Sequence, residues 1–386
     1  MRRQRAQATP SASNIGYYRS AMKTFHCTHC QNLVFFENVR CLNCGHSLAF
    51  LPDLGFMGAL SERPDGLWRA ELDAPDSRGY RLCANYDQVS VCNWVVPAHD
   101  PSAFCGSCRL NRVIPDLSSE RNRVAWFRLE VAKRRMLYTL LGLWLPTEPK
   151  TGANGSGLSF EFLEDSSHGD AKRVLTGHDN GLITINIAEA DDVHREKERT
   201  LQKEPYRTLL GHFRHEIGHY FWDRLVSNGP KPKLNAFREL FGDERADYQQ
   251  ALERHYREGP AAGWEQNFIS AYATMHPWED WAESWAHYLH MVDALETAGA
   301  AGLALRPKRN DEPRMQPPPD PLNPHYRDFE AMIDSWLSLT YVLNNLSRGL
   351  GLPDSYPFIL SAPAIRKLHF IHATIDDYRD ACSRSA

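Results

Sequence analysis

The stretch GHFRHEIGHYFW, residues 211–222, decides how the rest of the chain is read. It sets His215 and His219 four apart, with Glu216 between them. On a helix that separation brings both imidazoles to one face, one turn apart, where they can share one ion with Glu216 beside them. Zinc held by neutral imidazoles keeps a position for water, lowers that water's pKa toward about 7 and needs a carboxylate nearby to take the proton. Gly218 reads as the small residue that leaves the approach to metal or substrate clear. The competing reading is a helix whose histidines are ordinary core or surface residues. In a chain with 17 histidines, that reading has to be tested against residues elsewhere.

A catalytic zinc needs a third protein ligand, commonly from a later helix. SAYATMHPWEDWAESWAHYLH, residues 270–290, places Glu279 and Glu283 four apart on a predicted helix, among Trp278, Trp281, Ala282 and Trp285. One carboxylate can bind the ion while the other orients a ligand histidine, and spacing alone leaves open which does which. Asp223 follows His219 by four, and Asp243, Glu244 and Asp247 lie in FGDERADY, residues 241–248. For these acids, support of a ligand and surface ion pairing are balanced readings. His212, His276, His287 and His290 read as packing or locally hydrogen-bonded histidines. The chain has no G-x-S-x-G elbow, P-loop or dinucleotide fingerprint to compete for the chemistry.

The nine cysteines fall into groups. Cys27, Cys30, Cys41 and Cys44 form C-x2-C-x10-C-x2-C, two knuckles able to converge four thiolates on one structural zinc. Cys83, Cys92, Cys105 and Cys108 form a looser set in which only CGSC is a knuckle. It reads as a second structural zinc site, against buried free thiols or a redox pair at Cys105 and Cys108. Cys382 reads as a free thiol.

A formal charge of -4 over 386 residues gives no global electrostatic case for nucleic acid or a membrane surface. The first 21 residues are basic and polar without the apolar run of a secretory signal, and no stretch approaches the length needed to span a bilayer. A soluble cytoplasmic protein is expected. Residues 1–21 read as a disordered extension, 22–50 as a zinc ribbon that depends on metal for its fold, 51–117 as a small β region around the second cysteine group, and 118–386 as the catalytic domain. Within that last part, a long helix begins at Ser118 or Ser119 and strands are expected at 158–165 and 181–188. Glu204 and Pro205 suit the first turn of the motif helix. Further helices are expected at 234–257, 278–297, 325–347 and 363–381, with a Pro-rich connection between the second and third of these.

HExxH followed by E-x3-E, with Tyr272 seven residues before the first glutamate, resembles the gluzincin metallopeptidases, the catalytic region of anthrax lethal factor among them. That resemblance implies Glu279 as the third zinc ligand, Glu283 as the residue orienting a ligand histidine, and Tyr272 as the donor facing the developing oxyanion. From Met22 onward the chain also resembles bacterial zinc-ribbon-containing zinc metallopeptidases, through both cysteine groups, GHFRHEIGHYFWD, FGDERADY and HPWEDWAESWAHYLH. The expected fold is α+β: an N-terminal zinc-ribbon region, then a mostly helical zincin-like domain with a small sheet. The edge of strand 181–188 is expected to pair with an extended peptide above the motif helix. The expected function is hydrolysis of a peptide or protein substrate by zinc-activated water, with one catalytic and one or two structural zinc ions. The alternative is a ribbon that binds protein or nucleic acid, with Lys23, His26, His29 and Arg40 as its basic groups, on an inactive zincin-like scaffold.

Overall fold

The first cysteine group is built on two-residue strands, β1 Phe25–His26 and β2 Leu33–Val34, paired antiparallel and too short to enclose a core of their own. The structure is a computed structural model that describes residues 24–72, 78–152, 155–165, 174–193, 195, 197 and 208–385. The expected extension at 1–21, and Glu204 and Pro205, lie outside these residues.

Five strands follow in an antiparallel meander: β3 Ser47–Leu51, β4 Phe56–Glu62, β5 Trp68–Ala70, β6 Tyr80–Leu82 and β7 Val95–Pro97, with a short helix α1 Ala84–Asp87 between the last two. The expected border between residues 50 and 51 falls inside β3. The helical part has its own four-stranded sheet, made of β8 Asn111–Val113, β9 Ser159–Leu163, β10 Gly177–Asp179 and β11 Leu182–Asn186 in the order β10-β11-β9-β8. β9 runs parallel to both β8 and β11, whereas β10 runs antiparallel to β11. Strand β11 is therefore interior, and the expectation that its edge pairs with a peptide is corrected. β10 covers it, and among the described residues the edge on that side belongs to β10.

Among the described residues, seven longer helices follow from the sequence's caps and apolar spacing. In α2, Glu120–Gly142, the Ser119 side chain accepts from Asn122 N. The motif helix α3 is Leu209–Trp222, and its chain continues through a π-helical turn at Asp223–Ser227. The single helix expected at 234–257 is two, α4 Lys231–Phe241 and α5 Tyr248–Glu258. Gly242 separates them at φ 107, a backbone conformation that favours glycine. Then come α6 Pro277–Ala300, α7 Phe329–Gly349 and α8 Ala362–Ser385.

The ribbon and the helical part share one core. Tyr138 of α2 sits among Phe25, Phe36 and Phe50, with ring centroids 6.1, 5.5 and 5.8 Å away. A smaller cluster of Ala49, Leu51, Leu60, Ala70, Tyr80 and Val95 occupies the other face of the five-stranded sheet. Helix α6 runs through the main core, held at its first turn by the buried pair of Lys367 on α8 and Asp280, 2.5 Å apart. Burial pushes the Asp280 carboxyl up to about 7 against the pull of Lys367. Among the described residues no helix is long and apolar enough to cross a membrane.

Candidate metal centre

Helix α3 is capped by Thr208, whose hydroxyl accepts from Gly211 N at 3.0 Å. The helix then turns His215, Glu216 and His219 toward the N-terminal turns of α6. The two helices meet at Gly218: a Cβ there would lie 3.1 Å from Ala282 Cα and 3.2 Å from Trp285 Cβ. Trp281 Nε1 fastens the crossing by donating to Gly218 O at 2.9 Å. The role expected for Gly218 is thereby corrected, because its missing side chain makes room for α6 and not for metal or substrate.

The crossing brings three donors together. His215 Nε2 lies 2.9 Å from Glu279 Oε2 and 3.2 Å from His219 Nε2, and His219 Nε2 lies 3.4 Å from Glu279 Oε1. Zinc–nitrogen bonds of about 2.0–2.1 Å in a tetrahedron put ligand atoms about 3.3 Å apart, so this triangle has the right size. The contact of His215 with Glu279 Oε2 also lacks hydrogen-bond alignment, as expected of two atoms aimed at a shared point and not at each other. Two neutral imidazoles and one carboxylate with His219 and Glu279 buried are a fitting donor set for zinc.

Glu283 takes the orienting place. Its Oε1 accepts from His215 Nδ1 at 2.7 Å and its Oε2 accepts from Ser270 Oγ at 2.6 Å, while Ser270 Oγ accepts from Ala273 N at 3.1 Å. This chain fixes the His215 ring with Nε2 facing the other two donors. Burial works against a charged His215, but Glu279 and Glu283 outweigh it and hold the imidazole well above its usual pKa. Burial likewise opposes the Glu279 charge, and the two histidines override it and lower the carboxyl. Glu216 goes the other way: burial raises it, His215 and His219 pull it back, and Glu279 adds to the rise.

Tyr272 opens a short 3-10 turn, with its ring 5.9 Å from that of His215 and its phenol pushed well up by burial and by the Glu279 charge. Two neighbours were given no place in the site by the sequence, where Trp278 reads as packing bulk. The Trp278 ring lies 3.9 Å from the His219 ring, and Tyr248 Oη donates to Glu279 Oε1 at 3.0 Å. The available signal for Tyr248 was its place directly after Asp247, a helix-capping residue. On β10, the His178 ring lies 6.2 Å from those of both His219 and Trp278, so this edge strand of the described sheet borders the site.

The remaining acids and histidines have other partners. Glu244 pairs with Arg238, Asp243 pairs with Arg245, and Asp247 caps α5. Asp223 is raised by burial with His219 opposing. His212 lies 3.3 Å from Glu189, His276 caps α6, His287 bonds Tyr356 Oη at 2.7 Å and His290 bonds Arg214 at 2.5 Å.

Both cysteine groups converge, each with its four Sγ atoms within 4.8 Å of one another. In the first, Cys27 and Cys44 lie 3.6 Å apart, as do Cys30 and Cys41, and Asn43 donates to Cys30 Sγ at 3.4 Å. In the second, Cys83, Cys92, Cys105 and Cys108 are all buried, and backbone N–H groups of Trp94, Cys105 and Cys108 donate to Cys92, Cys83 and Cys105. Four sulfurs per site fit a closed tetrahedral zinc with no position for water.

Comparison with known proteins agrees with this layout. A family described as "Putative zinc-binding metallo-peptidase" matches residues 122–374, and one described as a zinc-ribbon domain matches 24–119. An uncharacterised protein of Mycobacterium tuberculosis (strain ATCC 25618 / H37Rv) is 44% identical over 367 residues, covering 94% of this chain and 99% of the relative. An uncharacterised protein of Mycobacterium bovis matches with the same identity and coverage. No solved structure matches the chain. The chain belongs to this zinc-binding metallo-peptidase family and carries an N-terminal zinc-ribbon domain.

Proposed function

We propose that this member of the family hydrolyses peptide bonds, with zinc held by His215, His219 and Glu279 in the gluzincin manner. The observation that carries the reading is the triangle of donors at 2.9–3.4 Å with Glu216 on the same helix face and Glu283 fixing His215. Bound there, zinc supplies a Lewis acid for the peptide carbonyl and lowers the pKa of a water toward about 7. Glu216 takes the proton of the attacking water as the new C–O bond forms and passes it to the leaving amine as the C–N bond breaks. Its buried setting, which disfavours the charge, suits it to hold that proton between the two steps. The Tyr272 phenol donates to the carbonyl oxygen as negative charge grows there, a contribution of about 3 kcal/mol if it acts like other such donors. An extended substrate would lie along the edge of β10, which borders the histidines.

The ribbon's exposed groups bear on its partner. Leu33, Phe35 and Leu42 are 69%, 75% and 95% exposed, an apolar display that favours a protein partner, such as a substrate, over nucleic acid. The test of the enzyme reading is Glu216→Gln, whose amide has no basic oxygen but nearly the same shape. Zinc content should stay at the wild-type level while single-turnover cleavage of a peptide found in a proteome-derived library drops about 10²–10⁴-fold. Undiminished cleavage by the zinc-replete variant overturns this mechanism, and absence of any cleavage by the wild type favours the inactive-scaffold alternative.

A further inference from the structure

The acids of FGDERADY pair with arginines or cap a helix, so they do not explain why this segment runs beside the metal centre. Its geometry converges on its last residue. Gly242 ends α4, and Asp247 Oδ1 accepts from Gln250 N at 2.9 Å, which makes Tyr248 the first residue of α5. One imidazole ties this turn to the glutamate helix: His276 Nδ1 accepts from Trp278 N at 3.1 Å, and its Nε2 donates to Ala246 O at 3.1 Å. The start of α6, which carries Glu279, and the chain two residues before Tyr248 are therefore held by the same side chain. The Tyr248 ring packs 5.4 Å from His276 and 6.1 Å from Trp278, and its hydroxyl donates to Glu279 Oε1 at 3.0 Å.

A ligand carboxylate can hold zinc by one oxygen or by two, and the choice decides how many positions remain for water and substrate. In Glu279 the two oxygens are treated differently. Oε1 accepts from the phenol at 3.0 Å and lies 3.4 Å from His219 Nε2, whereas Oε2 has no hydrogen-bond donor and faces His215 Nε2 at the shorter distance of 2.9 Å. We propose that Tyr248 is a positioning residue that restricts Glu279 to one-oxygen metal binding and so keeps a coordination position open. The proposal rests on the metallopeptidase reading above, and its experiment separates the two.

The protein is reconstituted with cobalt(II) at the histidine site, and Tyr248→Phe is compared with wild type, Tyr272→Phe and His219→Ala by visible absorption and chelator competition. The Phe substitution keeps the ring in a residue that is 36% exposed, and thermal unfolding checks the fold. Wild type should give the intense absorption of a four-coordinate site. Tyr248→Phe should give the weaker bands of a five-coordinate one, with metal affinity changed about 10-fold or more and kcat lowered more than KM is raised. Tyr272→Phe should lower turnover and leave the spectrum unchanged. A wild-type spectrum and affinity in Tyr248→Phe overturns the positioning role, as does the same spectral change in Tyr272→Phe. If His219→Ala binds cobalt as wild type does, the parent reading of the metal site fails instead. Should Tyr248→Phe unfold, Glu279→Asp decides: a shorter carboxylate that cannot reach the phenol should give the five-coordinate spectrum, and a four-coordinate one overturns the proposal.

Discussion

The two cysteine groups contain the same four atoms and sit in opposite surroundings. The first holds together two-residue strands, with Cys27 and Cys41 buried but Cys30 and Cys44 partly exposed and Leu42 beside them almost fully so. The second is sealed, and its lid is α2 of the helical part. There Lys133, Glu130 and Arg134 are buried together: Glu130 Oε1 accepts from Lys133 at 2.7 Å and from Asn111 at 2.8 Å. Arg134 lies 3.5 Å from the other oxygen and donates to Val91 O, next to Cys92, at 2.7 Å. Two cations thus share one carboxylate beside four sulfurs. A divalent ion on four thiolates carries two negative charges, which supplies what this pocket lacks, and charge from Cys92, Cys108 and Cys105 together with Glu130 holds the guanidinium above its usual pKa although burial opposes it. The first group shapes a small, partly exposed module, whereas the second lies where the ribbon meets α2 of the helical region.

The largest effect expected from this contrast is in Cys105→Ser. An emptied second site would leave the buried Lys133 and Arg134 with Glu130 as their shared carboxylate, a cost of about 3–5 kcal/mol, and urea unfolding should show it as a lowered midpoint for the whole chain. A midpoint shift confined to the ribbon would break the comparison. Next comes Arg134→Met, which should release zinc from the second group while the first keeps its own, measured as the loss of about one equivalent to a chelator at fixed concentration. Zinc retained in full would mean that the guanidinium serves the Val91 carbonyl and not the metal. The smallest effect is expected for Cys41→Ser. It should remove about one zinc equivalent and loosen residues around Phe25–Leu51 in hydrogen exchange, with the metal at His215 and His219 retained. Loss of hydrolysis in that variant with the other metals in place would assign the first group to substrate handling.

Features that depend on nearby residues were legible in the sequence. HExxH, the pair Glu279 and Glu283, both cysteine groups and the Ser119 cap are fixed by spacings of a few residues on one helix or knuckle. Features that depend on distant partners were not. β11 reads as an edge strand because its cover, Gly177–Asp179, is three residues with no alternation to detect. β8 carries no mark of belonging to β9, nearly fifty positions away. The break at Gly242 is hidden by apolar residues that keep helical spacing on both sides, and it is this break that sends Tyr248 to Glu279. The acids around it read as possible supports of a ligand, but the group that reaches Glu279 is the Tyr248 hydroxyl.

The contact at Gly218 fixes a distance. His215 and His219 stand on α3 and Glu279 on α6, and where these helices cross, one would-be methyl group is already within 3.1 Å of the opposite backbone. Any side chain there must push the helices apart by a few tenths of an ångström, and every such increment widens the ligand triangle, because its corners ride on separate rods. Position 218 therefore acts as the caliper of the site. It contributes no side-chain atom to the cluster, yet its emptiness sets how closely His215 and His219 approach Glu279.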